Sequence, residues 1–67
     1  MKMGIVVDYN DIGKFFTILA DQDKYIGFMI NTVNEIKVDD HVSFLIKEYY
    51  INKQLVKMAI QIKKIEL

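Results

Sequence analysis

Gly4-Ile5-Val6-Val7-Asp8-Tyr9-Asn10, followed by Lys14-Phe15-Phe16-Thr17-Ile18, decides the fold of this chain. The first run is a glycine, a β-branched series, an aromatic ring and an asparagine, which reads as a strand entering a turn. The second run is aromatic and β-branched and reads as the returning strand. Between them, Asn10-Asp11-Ile12-Gly13 supplies the turn: Asn and Asp bond their own backbone, and Gly is expected to take a positive φ.

The same signal continues outward. Val42, Phe44 and Ile46 alternate with Ser43, Leu45 and Lys47, and Ile26, Phe28 and Ile30 alternate with Gly27 and Met29. Period-2 alternation predicts strands over 3–10, 14–20, 24–31, 41–51 and 54–65. Ala20-Asp21-Gln22-Asp23 connects the second and third, 34–40 forms a polar loop, and Asn52-Lys53 makes a two-residue hairpin turn. Leu45, Tyr49 and Lys53, like Leu55, Ala59 and Lys63, have helical spacing, yet the Val, Ile, Tyr and Phe around them favour strands. Five strands in so short a chain leave apolar edges unless the sheet closes. The expected fold is all-β, a single domain over 1–67: a small five-stranded OB-type barrel or its SH3-like analogue.

Composition narrows the function. A 67-residue chain buries only about 60% of its unfolded surface; here 52% hydrophobic residues offset the small size. The absence of cysteine excludes disulfides and thiolate metal sites and agrees with a reducing compartment. No apolar run reaches the roughly 20 residues of a membrane helix, and Met1-Lys2-Met3-Gly4 leads straight into a strand pattern without a secretory apolar segment. A cytoplasmic protein without membrane contact is the expectation. Net charge is zero but unevenly spread: residues 1–40 carry −3 and residues 41–67 carry +3. There is no arginine, the side chain best suited to bidentate phosphate contacts, so any phosphate contact falls to Lys47, Lys53, Lys57, Lys63 and Lys64.

Nearly the whole chain resembles the bacterial cold-shock domain, although no single motif is intact. Gly4 to Asn10 is similar to that family's opening of glycine, two aliphatics, lysine, tryptophan, phenylalanine and asparagine. Gly13-Lys14-Phe15-Phe16-Thr17-Ile18 takes the place of its first ribonucleoprotein-like motif, Ile26-Gly27-Phe28-Met29-Ile30 that of the second. Val42-Ser43-Phe44 and Ala59-Ile60-Gln61-Ile62 resemble its last two strands. The resemblance implies a core of Val6, Ile18, Ile26, Phe28, Val33, Val42, Phe44, Ile46 and Ile62. It also implies a face for single-stranded RNA or DNA on which Tyr9 and Phe15 keep aromatic rings. Val7, Asp8, Thr17, Gly27, Met29 and Ile30 replace the usual basic and aromatic residues there, so binding is expected to be weak and tolerant of sequence. Lys14, Met29 and Lys57 complete the expected set with Tyr9, Phe15 and Thr17, each base stacked on a ring being worth about 1–3 kcal/mol.

A second reading is a protein-interaction or self-association module. Between Ile46 and Ala59 the chain is longer than the family by about one strand pair. The hairpin this implies over 47–57 carries Tyr49, Tyr50, Ile51 and Leu55 as anchors for a homodimer. Catalysis is not expected. His41 follows Asp39 and Asp40, but neighbours in a strand face opposite ways, and Asp21 and Asp23 lack the other ligands of a calcium loop. Neither a phosphate loop nor zinc spacing occurs, and no cofactor is expected.

Overall fold

The computed structural model describes residues 1–32 and 35–66, with Asn31 described as backbone only. Its strands are β1 (Lys2–Asn10), β2 (Phe15–Ala20), β3 (Asp23–Phe28), β4 (His41–Ile51) and β5 (Gln54–Lys64). They close in the order β1-β2-β3-β5-β4, with β3 and β5 parallel and the other pairs antiparallel. This is the expected all-β, five-stranded OB-type barrel. Among the described residues no helix is long and apolar enough to cross a membrane.

Closure of so small a barrel bends its strands, and two bulges do the bending. On β1 the register moves from Val6↔Ile18 to Asp8↔Thr17, so Val7 is the extra residue. On β5 it moves from Ile60↔Leu45 to Lys63↔Ser43, and Gln61 takes the positive φ of 50° that such a bulge needs. Each bulge resets the alternation: Val6 and Tyr9 both turn inward, as do Ala59 and Ile62. Just before the first bulge, Val6 exchanges backbone hydrogen bonds with Asp39 and Asp40, at 2.8 and 3.0 Å, which ties the loop before β4 to β1.

Val6, Phe16, Ile18, Tyr25, Val42, Phe44, Ala59 and Ile62 fill the interior, with Ala20 and Ile36 at its margins. Ile36 enters the core from a loop whose polarity had hidden it. Three residues expected in the core, Ile26, Ile46 and Phe28, are not there. Ile26 stands outside because its register partner is the outward Met58. Ile46 has the inward parity of Ala59, but β1 stops covering β4 at Lys2↔Phe44, so Ile46 is 40% exposed. Phe28 is only half-buried, and Val33 lies outside the described residues.

The turns follow the sequence with two corrections. Asn52-Lys53 is the two-residue hairpin expected, both residues at positive φ, and Asp21-Gln22 repeats it. Asn10 does cap its turn, its Oδ1 accepting from the Gly13 N–H at 2.8 Å. The positive φ, however, belongs to Lys14, at 55°, not to Gly13. Gly13 is needed for space: a Cβ there would stand 2.5 Å from the Phe15 ring. The third strand stops at Phe28, short of the expected 31. A 3₁₀ turn over Met29–Asn31 follows, closed by the Thr32 N–H and hydroxyl donating to the Met29 carbonyl.

Candidate functional site

Residues paired across neighbouring strands share a face, so the register writes out the barrel's outer surface row by row. One row runs Asp8, Thr17, Ile26, Met58, Lys47, from β1 through β2, β3 and β5 to β4. On one side of it runs Asn10, Phe15, Phe28, then Ile60 and Leu45. On the other run Ile5, Leu19 and Lys24, and the Val56–Tyr49 pair continues the surface past the end of the β3–β5 ladder. The middle of this grid is apolar and half-exposed, and the row beginning at Asn10 brings two aromatic rings to it. The Phe15 and Phe28 rings meet edge to face, with centroids 6.0 Å apart and planes at 62°. Phe15 is held upright by the turn beneath it, where only a glycine at position 13 leaves the ring its place.

The opposite face of β3 explains this parity. Tyr25 points inward against Phe44, centroids 5.3 Å apart. Gly27 also lies inward, where a Cβ would stand 2.7 Å from Ile62 and 2.8 Å from Phe16. No larger residue fits at that point, so Ile26 and Phe28 must face out. The expected assignment of β3 is therefore inverted: Phe28 belongs to the outer face, and Gly27 and Met29 do not. Phe28 was the residue missed. The glycine between two bulky residues was the available signal, because a glycine in a strand often marks close approach beneath it.

The expected site residues separate into four places. Phe15 and Thr17 lie on the outer face described above. Tyr9 is opposite Phe16, not Phe15, and packs inward against the core together with Met29. These two line a groove of about 360 Å³ at one end of the barrel with Ile36, Lys37 and Val38. The two-ring platform of Tyr9 and Phe15 is thus corrected to one of Phe15 and Phe28. Lys14 sits in the first turn, its ammonium 3.3 Å from Asp11. Lys57 is opposite Glu48, in the ribbon beyond the barrel.

Tyr50, Ile51 and Leu55 also lie in that ribbon, exposed, with Tyr50 and Leu55 directly opposite one another. Tyr49 shares the outer face, with the Lys47 Nζ 5.4 Å from its ring centroid. His41 is exposed at the start of β4, and the Asp40 carboxylate is engaged elsewhere, by the Lys37 N–H and the Lys64 ammonium. Among the described residues no group of three His, Asp or Glu side chains is placed to hold a metal ion.

No protein-family model and no curated protein matches this chain. Its chemistry has to be read from the surface itself.

Proposed function

We propose that the chain binds single-stranded RNA or DNA weakly, with little preference for sequence and no chemistry on the bound strand. The observation that carries this is the Phe15–Phe28 pair, half-buried on the apolar outer face rather than spent on the core. Aromatic rings on such a surface stack on any base, and lysines at its edge follow the backbone. The cold-shock resemblance of the sequence supports the same reading. Without arginine, each phosphate contact is a point charge rather than a fork, which keeps affinity low and salt-sensitive. Fluorescence titration with a single-stranded oligonucleotide tests the proposal: Phe15→Ala and Phe28→Ala each weaken binding by about one stacking increment, 1–3 kcal/mol. Salt-independent or absent binding at tens of micromolar protein (about 10⁻⁵ M, within the weak non-specific range) removes it.

A second reading, self-association through the ribbon, is favoured by Tyr50, 79% exposed, and by Ile51 and Leu55 beside it with nothing covering them among the described residues. Sedimentation equilibrium decides it. A homodimer weakened by Tyr50→Ser supports this reading, and a monomer at high concentration ends it.

A further inference from the structure

The outer face is not electrically symmetric. Its central row begins at Asp8 on β1 and ends at Lys47 on β4. Asp11 adds to the acidic end, beside the first turn, where it already pairs with Lys14. At the other end a groove of about 560 Å³ opens between the 3₁₀ turn and the outer surface of β4 and β5. Ile30, Ile60 and Tyr49 form its apolar walls, Thr32 and Gln61 its polar ones, and Lys47 and Lys63 bring two ammonium groups. The β5 bulge builds this place, since Gln61 is the bulged residue that breaks the ladder there. Among the described residues neither Lys47 nor Lys63 has a carboxylate within salt-bridge distance, in contrast to Lys2, Lys14 and Lys64.

We infer that a bound single strand runs from Phe15 and Phe28 across β5 into this groove, away from β1. Lys47 and Lys63 hold its phosphates, and Tyr49 serves as a third stacking ring. This inference rests on the nucleic-acid reading and adds a direction to it. The route is continuous: Phe28 and Ile60 are the next residues of two parallel strands already paired at Gly27↔Ala59, and Ile60 is a wall of the groove. The charge dictates the direction. A phosphate moving toward β1 meets Asp8 and Asp11; one moving toward β4 meets two unneutralised ammonium groups. Tyr49 has its ring beside Lys47, so a base stacked on the ring brings its own phosphate near the cation.

The test is a titration of the full chain with a fluorescein-labelled oligothymidylate of about 12 nucleotides, within the site size of such folds, at several salt concentrations. The double variant Lys47→Gln, Lys63→Gln is expected to flatten the slope of log K against log salt by about 1.4, or about 0.7 per lost phosphate contact. Tyr49→Ala should lower affinity about fivefold or more, and Lys14→Gln should leave the slope unchanged. Amide shifts of the unsubstituted protein give a readout that does not depend on the variants: Ile30, Tyr49 and Gln61 move with the oligonucleotide, whereas Asp8 and Asp11 do not. If binding occurs, but Lys14→Gln changes the slope and Asp8 and Asp11 shift instead, the strand runs toward β1. The direction is then wrong while the binding reading stands. Absence of binding by the unsubstituted chain overturns both.

Discussion

Strands β4 and β5 lead two lives. Between His41 and Ile46, and from Met58 onward, they are walls of a closed barrel, with Val42, Phe44, Ala59 and Ile62 sealed inside. Between Lys47 and Lys57 the same two strands continue as a ribbon with no third strand beside them, and nearly every side chain is exposed. Apolar side chains occur there too, Tyr49, Tyr50, Ile51, Leu55 and Val56, yet none of them is sealed. Alternation makes a strand, then, but a neighbour makes a core. An isolated two-stranded ribbon is marginal in water, so this one is held by the barrel at its base and is free to meet something else at its tip.

The largest expected effect breaks the comparison at its root. Phe16→Ala removes a ring at the centre of the barrel, 1% exposed, and should cost about 3–5 kcal/mol. That approaches the entire stability of a domain this size, roughly 0.05–0.15 kcal/mol per residue. Tyr50→Ala in the ribbon should change global stability by less than about 0.5 kcal/mol. Chemical denaturation of the two variants measures both, and a comparable loss from Tyr50→Ala would mean that the ribbon folds back on the barrel.

Phe15 and Phe28 test the surface between these extremes. Each is half-buried, so its alanine variant should lose about 1–3 kcal/mol of oligonucleotide affinity with a clearly smaller loss of stability than Phe16→Ala. If Phe15→Ala instead unfolds the domain, the ring is a structural cover and the stacking surface is gone. Gly13→Ala gives a subtler version. Its new methyl would push on the Phe15 ring, so binding should weaken while the barrel stays folded.

How far the residues announced all this differs between fold and site. Strand number, closure and the Asn52-Lys53 turn were legible because alternation and turn chemistry are local. The two bulges were not. Nothing in Val6-Val7-Asp8 or Ile60-Gln61-Ile62 says which residue is extra, and one unpaired residue inverts every side chain beyond it. The resemblance had put Tyr9 on the outer face, and the bulge at Val7 turns it inward. The inverted reading of β3 has another cause: Ile26-Gly27-Phe28 alternates equally well in either phase. Only the crowding of Phe16 and Ile62 above Gly27 fixes the phase, and those contacts come from distant strands. Ile36 escaped notice because its loop neighbours are polar.

The two hairpin turns compare barrel with ribbon at smaller scale. Gln22 and Lys53 both hold a positive φ, 68° and 66°, that side chains other than glycine adopt at some strain. Glycine at either place relieves it, for a gain of roughly 0.5–1 kcal/mol. In Gln22→Gly the gain should raise the melting temperature, because that turn joins β2 and β3 of the barrel. In Lys53→Gly it should appear chiefly as slower amide exchange in the ribbon, whose opening does not require the barrel to unfold. Equal melting gains would show that barrel and ribbon unfold as one unit.

The smallest effect lies at the seam where β1 begins and the ribbon departs. Lys2, the first residue of β1, has its ammonium 2.8 Å from the Asp21 carboxylate in the β2–β3 turn. The hydrogen bond to Asp21, and then that residue's charge, raise the lysine above its ordinary value. A raised value means that the folded state holds the proton more tightly than the unfolded one. The stabilisation is therefore complete below about pH 10.4, the unperturbed value, and is lost as pH rises through the higher folded value. Asp21 is largely solvated and the Lys2 side chain about a third exposed, so the contribution at neutral pH is small and screened by salt. Lys2→Met should consequently melt slightly below the unsubstituted protein at neutral pH, and the gap should close at strongly alkaline pH. Subtracting the two melting profiles cancels the other lysines and the tyrosines. Ribbon amides near Asn52 should exchange at the same rate in both proteins, since the pair fastens only barrel to barrel. A melting gap that persists unchanged to about pH 11, beyond the ordinary lysine range, would assign the effect of Lys2 to its aliphatic stem against β4, not to its charge.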